Sequence, residues 1–386
     1  ACEFINNEAV NDGGAIEACN NSKVHIENVI EPGELEAVTV FYFNRGLDGG
    51  AIHAANTTIT INDVTSEPDK TNTRFAGNVA TSDNRIDKRD HLSGGGAMYI
   101  NKGSRVTILG PTYFEENTAM AGGAIAMGTK GTSESTQLII RGTSTYPAYL
   151  VCNSAEYVAE HEFEKEHCGW GGAIFMRAPT TLTIEYARIS ANNAYDGSAL
   201  AVTYEENKER ASEEISHATF AIRHSDISDN SSQNLYGAIL SECNYFTIDD
   251  CDFHDNAVPY NKSGSSIKTL ARDGEAQPEY RLADPETRFW SVQILNSRFH
   301  DEKTYYGVIN LGNSLGVLVQ GCVFEDNVGR TIVLDGVFDI RIFNCQFLSN
   351  RADRGGTIYA DADAASIEVA SNAKYDRIRI HESVFI

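Results

Sequence analysis

The densest run of side chains suited to chemistry is Asp249-Asp250-Cys251-Asp252-Phe253-His254, where carboxylates crowd around an imidazole. Paired carboxylates at fixed separation hydrolyse glycosidic bonds, and a carboxylate beside an imidazole moves protons. Two other places invite the same question. Asp361 and Asp363 are hard oxygen donors of the kind calcium takes. Arg377-Ile378-Arg379-Ile380 is a basic segment, and β-elimination needs an Arg or Lys near acidic groups. Each has a plainer reading. Asp250, Asp252 and His254 alternate with Cys251 and Phe253, the pattern of a strand with one solvent face. The Asp361/Asp363 spacing matches no complete metal motif, so an acidic surface loop is preferred and no metal site is expected. The 10 histidines show no paired ligand spacing, and no glycine-rich loop opens a helix. No catalytic residue and no cofactor are expected.

Composition narrows the classes further. A net charge of -23 leaves no basic stripe for phosphates, so neither nucleic acid nor an anionic membrane surface is an expected partner. No window approaches 18 consecutive apolar residues, so no membrane insertion is expected. There is no initiator Met and no signal segment at Ala1, which fits a processed chain or a fragment. The 8 cysteines follow no C-x-x-C pattern, against a zinc site. Cys152 and Cys168 bracket an insertion and are a candidate disulfide. Sequons stand at Asn20, Asn56, Asn230 and Asn261; if used, they imply secretion by a eukaryote and a surface position.

The elements that hold these residues are set by an internal repeat. Phe-x-x-Asn begins at Phe4 and ends on Asn7, then recurs to Asn44, Asn78, Asn117, Asn256, Asn327 and Asn350, with Ile for Phe before Asn192 and Asn230. Gly-Gly-Ala-Ile recurs at Gly13-Gly14, Gly49-Gly50, Gly95-Gly96, Gly122-Gly123 and Gly171-Gly172, and decays to GGTI at Gly355-Gly356. Cys2, Cys251, Cys322 and Cys345 each precede the motif's Phe by two residues, where Thr112, Ser225, Ser297 and Ser383 stand in other copies. A small residue stacked in a core is the expected reading of that column.

Between the motifs the pattern has period two, as in TITINDV, TLTIEYARIS and VFDIRIFNCQF, which predicts short strands with one buried face. Phe324 and Phe347 are 23 residues apart, a distance suited to one coil of a solenoid and too short for a propeller blade. The expected fold is all-β: a right-handed, single-stranded parallel β-helix of about eleven to twelve coils, on the order of 55 Å long, spanning residues 1–386 as one domain. Phe would fill the coil interior, Asn would bond the Asn above and below in a ladder, and Gly-Gly would supply positive φ at a tight turn.

Insertions fall at 53–58, 128–136, 203–217, 268–288 and 361–374, and at 79–94 and 154–170, so loops are expected at two corners. Ala155 to His167 is read either as a short acidic helix or as a solvated loop. Both ends stop partway through a coil without a polar cap, which makes Phe4 and Phe385 candidate assembly ends and invites head-to-tail addition of another coil.

The paired GGAI and FxxN motifs, as at Gly13–Ile16 with Phe4–Asn7 and Gly122–Ile125 with Phe114–Asn117, resemble the repeats of chlamydial polymorphic outer-membrane proteins. The resemblance implies a surface-exposed right-handed β-helix of the pectin-lyase-like class, acting as an adhesin passenger. No C-terminal membrane barrel of that family follows here. Pectin-lyase-like folds also include polysaccharide lyases and hydrolases. The Arg377–Ile380 segment resembles that of the galacturonases, but the Asn-Thr-Asp, in-register Asp-Asp and Gly-His-Gly segments are missing. The expected function is a non-catalytic extracellular, cell-surface building block stacked end to end into a filament or stalk. A glycan-binding adhesin is the runner-up and a polysaccharide lyase or hydrolase the third reading.

Overall fold

A computed structural model describes the chain except residues 1, 31–35, 64–69, 81–93, 129–133, 157–167, 204–217, 235, 244, 257–264, 271–290, 305–306, 313, 315, 336, 338, 353–355 and 362–376. The described residues are all-β. They form a 12-stranded sheet, two 11-stranded sheets and a 6-stranded sheet, with every pairing parallel. Successive strands of the chain enter different sheets, and each strand pairs with its equivalents one coil away, the arrangement of a parallel β-helix.

The first sheet runs from Glu3–Ile5 to Val384–Phe385 and carries the motif phenylalanines. The second runs from Ile16–Cys19 to Ile358–Asp361 and carries the residues that follow the glycines. The third runs from Lys23–Glu27 to Arg377–His381. The 6-stranded sheet consists of two-residue strands, Arg45–Gly46 to Ser231–Ser232, directly after the motif asparagines.

Register explains why the repeat is conserved along the chain in shape while coil length varies. Phe4 pairs with Phe41, Phe75 with Phe114 and Phe299 with Phe324, so like stacks on like. Ring centroids in this column lie 4.6 to 5.1 Å apart and the planes are nearly parallel. Leu150, Ile189 and Ile227 continue the column where Phe is absent. Alternate residues of all three long sheets turn inward into one apolar core. Burying each such side chain is worth about 1.5–3 kcal/mol, which offsets the backbone entropy of ordering a coil.

The expected insertion at 53–58 is not one. Ile52–Ala55 and Thr58–Asn62 are strands joined by an ordinary corner at Asn56-Thr57. The other expected insertions lie largely outside the described residues. Of the helix-or-loop reading, Ala155 ends the strand Ser154–Ala155, Glu156 follows it exposed, and 157–167 are also outside them.

Candidate functional site

The ladder is built one coil at a time. At Asn117 the side-chain Nδ2 donates to Asn153 Oδ1 and to the Phe75 carbonyl, both at 3.0 Å, while its backbone N–H donates to Asn153 Oδ1 at 3.1 Å. Its own Oδ1 accepts from Asn78 Nδ2 at 2.9 Å and from the Asn78 N–H at 3.1 Å. The same side-chain bond links Asn7, Asn44, Asn78, Asn117, Asn153, Asn192, Asn230 and Asn256 into one run, and Asn327 to Asn350 in another.

Two rungs escaped the sequence reading. Asn153 closes the coil LVCN, where Leu150 replaces Phe. Glu302 closes FHDE and stands between Asn256 and Asn327. It is fully buried, accepts from Asn256 Nδ2 through Oε1 at 2.8 Å, and donates its N–H to Asn327 Oδ1 at 3.1 Å. Its Oε2 is buried outside hydrogen-bonding geometry. Burial pushes its pKa up to about 7, against the Asn256 amide, the Ser266 hydroxyl and the charge of His254, which favour the anion; Asp255 adds to the rise.

The residue before each rung is left-handed: Phe43, Glu116, Cys152, Ala191, Asp229, Asp255, Asp301 and Asp326 all have φ between 52 and 57°. That bend turns the asparagine inward. It also places Cys152 on the outside, whereas Cys168 is buried and donates to the Glu156 carbonyl at 3.5 Å. No disulfide joins the two, so the expected bridge is corrected. Alkylation of the native protein followed by peptide mapping is expected to label Cys152 and Cys2. Cys168, Cys251, Cys322 and Cys345 are expected to react only after unfolding.

Two further expectations need correction. Asn230 is 0% exposed, with Nδ2 committed to Asn256 Oδ1 and the Ile189 carbonyl, so its sequon is not a surface position. Asn20 and Asn56 are exposed at one corner, and Asn261 lies outside the described residues. In the glycine pairs only the first residue, such as Gly49 or Gly122, has positive φ. The second is required by space: a Cβ on Gly123 would meet the Gly172 carbonyl oxygen of the next coil at 2.2 Å. Gly355 lies outside the described residues, and Gly356 is not left-handed.

The acidic run resolves into strand and turn. Asp249 ends the strand Phe246–Asp249 and accepts from Asn296 Nδ2 at 2.9 Å. Asp250 occupies a second left-handed column (φ 51°) shared with Tyr186, His224 and Asn296, and its exposed carboxylate meets His224 Nδ1 at 2.8 Å. Asp252 and His254 instead project from the outer face of the first sheet. There the His254 and His300 rings stack 5.0 Å apart. His254 sits between Asp255 at 3.0 Å and Asp226 at 3.5 Å, and His300 between Asp301 at 2.8 Å and Asp252 at 3.2 Å. Desolvation lowers the His254 pKa, but the Asp255 bond and the charges of Asp226 and Asp252 outweigh it, for a net rise. Hydrogen bonding to His300 holds Asp301 below its ordinary range. Arg188 pairs with Asp226 at 3.2 Å and Arg298 with Glu325 at 2.8 Å, extending the stripe along the rod. This surface can exchange protons and offers polar groups to a ligand. Among the described residues no three His, Cys, Asp or Glu side chains gather as a metal site. Asp363 is outside the described residues, and Arg377–His381 is a strand of the third sheet. No protein-family model matches the chain, and neither a curated protein nor a solved structure is similar to it.

Proposed function

We propose that the protein is a non-catalytic extracellular building block: a right-handed β-helical rod on a cell surface, extended axially by contact with a further copy of itself. The observation that carries this reading is the state of the outermost strands. Phe4 stacks on Phe41 and Phe385 on Phe347 at 4.6 Å, yet Glu3–Ile5 and Val384–Phe385 are each paired along one edge only, and Phe385 is 50% exposed. An unpaired parallel edge with an exposed ring is a template for another coil.

The ladder adds a direction. Each amide-to-amide bond runs from Nδ2 to the Oδ1 of the next coil toward the C-terminus, so the rod offers an acceptor at Asn7 and donors at Asn350. Two such ends are complementary. The resemblance of the GGAI and FxxN repeats supports the surface location, and the exposed sequons Asn20 and Asn56 fit a secreted glycoprotein. The acidic run, one residue ending a strand and the next in a turn, weakens the enzyme reading. The adhesin reading keeps one supporting feature, the Asp-His-Arg stripe on the outer face of the first sheet, whose donors and acceptors suit a glycan.

Electron microscopy of the native protein tests the proposal. Rods joined end to end, and separated by Phe385→Glu, are expected. Rods that stay single at high concentration, with the variant indistinguishable, overturn it.

A further inference from the structure

The outward side of the second sheet is not a solvent face. Ala126, Phe175, Ala201, Leu240 and Val333 point away from the coil interior, yet none is more than 5% exposed. Lys268 stands in this apolar stripe between Leu240 and Asn310, its direct register partners in the two neighbouring coils. Lys268 Nζ donates to Asn310 Oδ1 at 2.7 Å, and Asn310 is 7% exposed. One coil further, Val333 faces Asn310, and Asp335 lies two residues along on the same side. Burial lowers the Lys268 pKa toward the neutral amine, and the charge of Asp335 partly opposes it.

A lysine amine held against a primary amide, flanked by apolar side chains, is a reacting pair. The contact brings Nζ close to Asn310 Cγ. We propose that Lys268 and Asn310 are joined by an intramolecular isopeptide bond that forms within the folded rod. The Nζ lone pair attacks Cγ, a C–N bond forms, and the carbonyl π pair moves to Oδ1. Collapse restores the C=O and breaks the Cγ–Nδ2 bond. Nδ2 leaves as ammonia, carrying the proton that Nζ loses. A primary amine and a primary amide become a secondary amide and ammonia, so no oxidant or reductant is needed.

The bond would weld two adjacent coils that otherwise hold together through ladders of hydrogen bonds, a use suited to a rod under axial load. The inference does not depend on end-to-end assembly, because the bond lies within one chain.

Mass spectrometry of the denatured full chain tests it. The expected mass is that of the sequence less one ammonia, and proteolysis is expected to yield one branched peptide holding Lys268 and Asn310. Lys268→Arg and Asn310→Ala are expected to show their full sequence masses. Neither reading requires a variant to fold. A wild-type chain at full mass, with Lys268 and Asn310 on separate linear peptides after prolonged incubation above about pH 8, where amines begin to deprotonate, overturns the proposal.

Discussion

Replacing Asn117 with alanine is expected to cost about 4 kcal/mol of stability, near the upper end for a single substitution. The side chain makes hydrogen bonds to the coils on either side of it, and alanine can replace none of them. The loss strands the Asn78 amide and N–H and the Phe75 carbonyl in the preceding coil, and leaves Asn153 Oδ1 in the following coil with only the backbone N–H of residue 117. Each buried group left unpaired costs about 1–3 kcal/mol, reduced where the coil relaxes or admits water. The neighbouring Glu115, on the outer face, should change stability by less than about 0.5 kcal/mol when cut to alanine. Since each coil touches only its neighbours, unfolding of the whole chain need not be two-state. Amide hydrogen exchange in the strands Thr71–Ala76, Thr112–Glu115 and Ala148–Val151 therefore gives the cleanest reading. Accelerated exchange confined to those coils is the expected result. A loss below about 1 kcal/mol would mean that the phenylalanine column, and not the ladder, sets the spacing.

Much of this architecture was legible because it is periodic. Phe, Asn and the glycine pair recur in step with the coil, and period-two alternation marked the strands between them. What stayed hidden depends on contacts between coils, where the partner lies tens of residues away. Gly50 and Gly123 look like turn formers but are required because the next coil's carbonyl fills the space of a Cβ. The left-handed residue before each rung is Asp, Asn or Gly in some coils, which take that conformation readily, but Phe, Glu, Cys, Ala or Ser in others, where the inward pull of the asparagine imposes it. At Asn230 a tripeptide motif for glycosylation coincides with a rung, and the ladder takes the side chain.

The candidate sites show the same division. Asp249 and Asp250 are adjacent in sequence yet belong to different structural positions, so their pairing said little about chemistry. His254 and His300 are 46 residues apart and become stacked neighbours, as Lys268 and Asn310 do across 42. Coils of unequal length scramble these spacings, and only the three-dimensional register recovers them.

Glu302→Asn is expected to stabilise the protein by about 3 kcal/mol at pH 8 and to remove a pH dependence present in the wild type. The native rung needs a donor aimed along the stack, as Asn327 Nδ2 supplies toward the Phe299 carbonyl. A carboxylate has none, and its Oε2 lies buried outside hydrogen-bonding geometry. Protonation supplies an O–H and removes the buried charge, which is why the pKa rises from the ordinary 4.5 to about 7. The fold thus prefers the protonated acid. Its stabilising effect is complete below pH 4.5, declines as pH rises toward 7, and is absent above, because over that interval the native state binds more protons than the unfolded chain. The span corresponds to about 3 kcal/mol. His254, whose pKa is also raised, gives a loss in the same direction, so the wild-type slope alone does not identify its source. The variant does, since it leaves His254, Asp255, His300 and Asp301 in place. Urea unfolding at pH 5 and pH 8 should show the wild type weakening while Glu302→Asn changes little. Equal slopes in the two proteins would assign the effect to His254. Asparagine at this position completes the donor pattern that the neighbouring rungs already have.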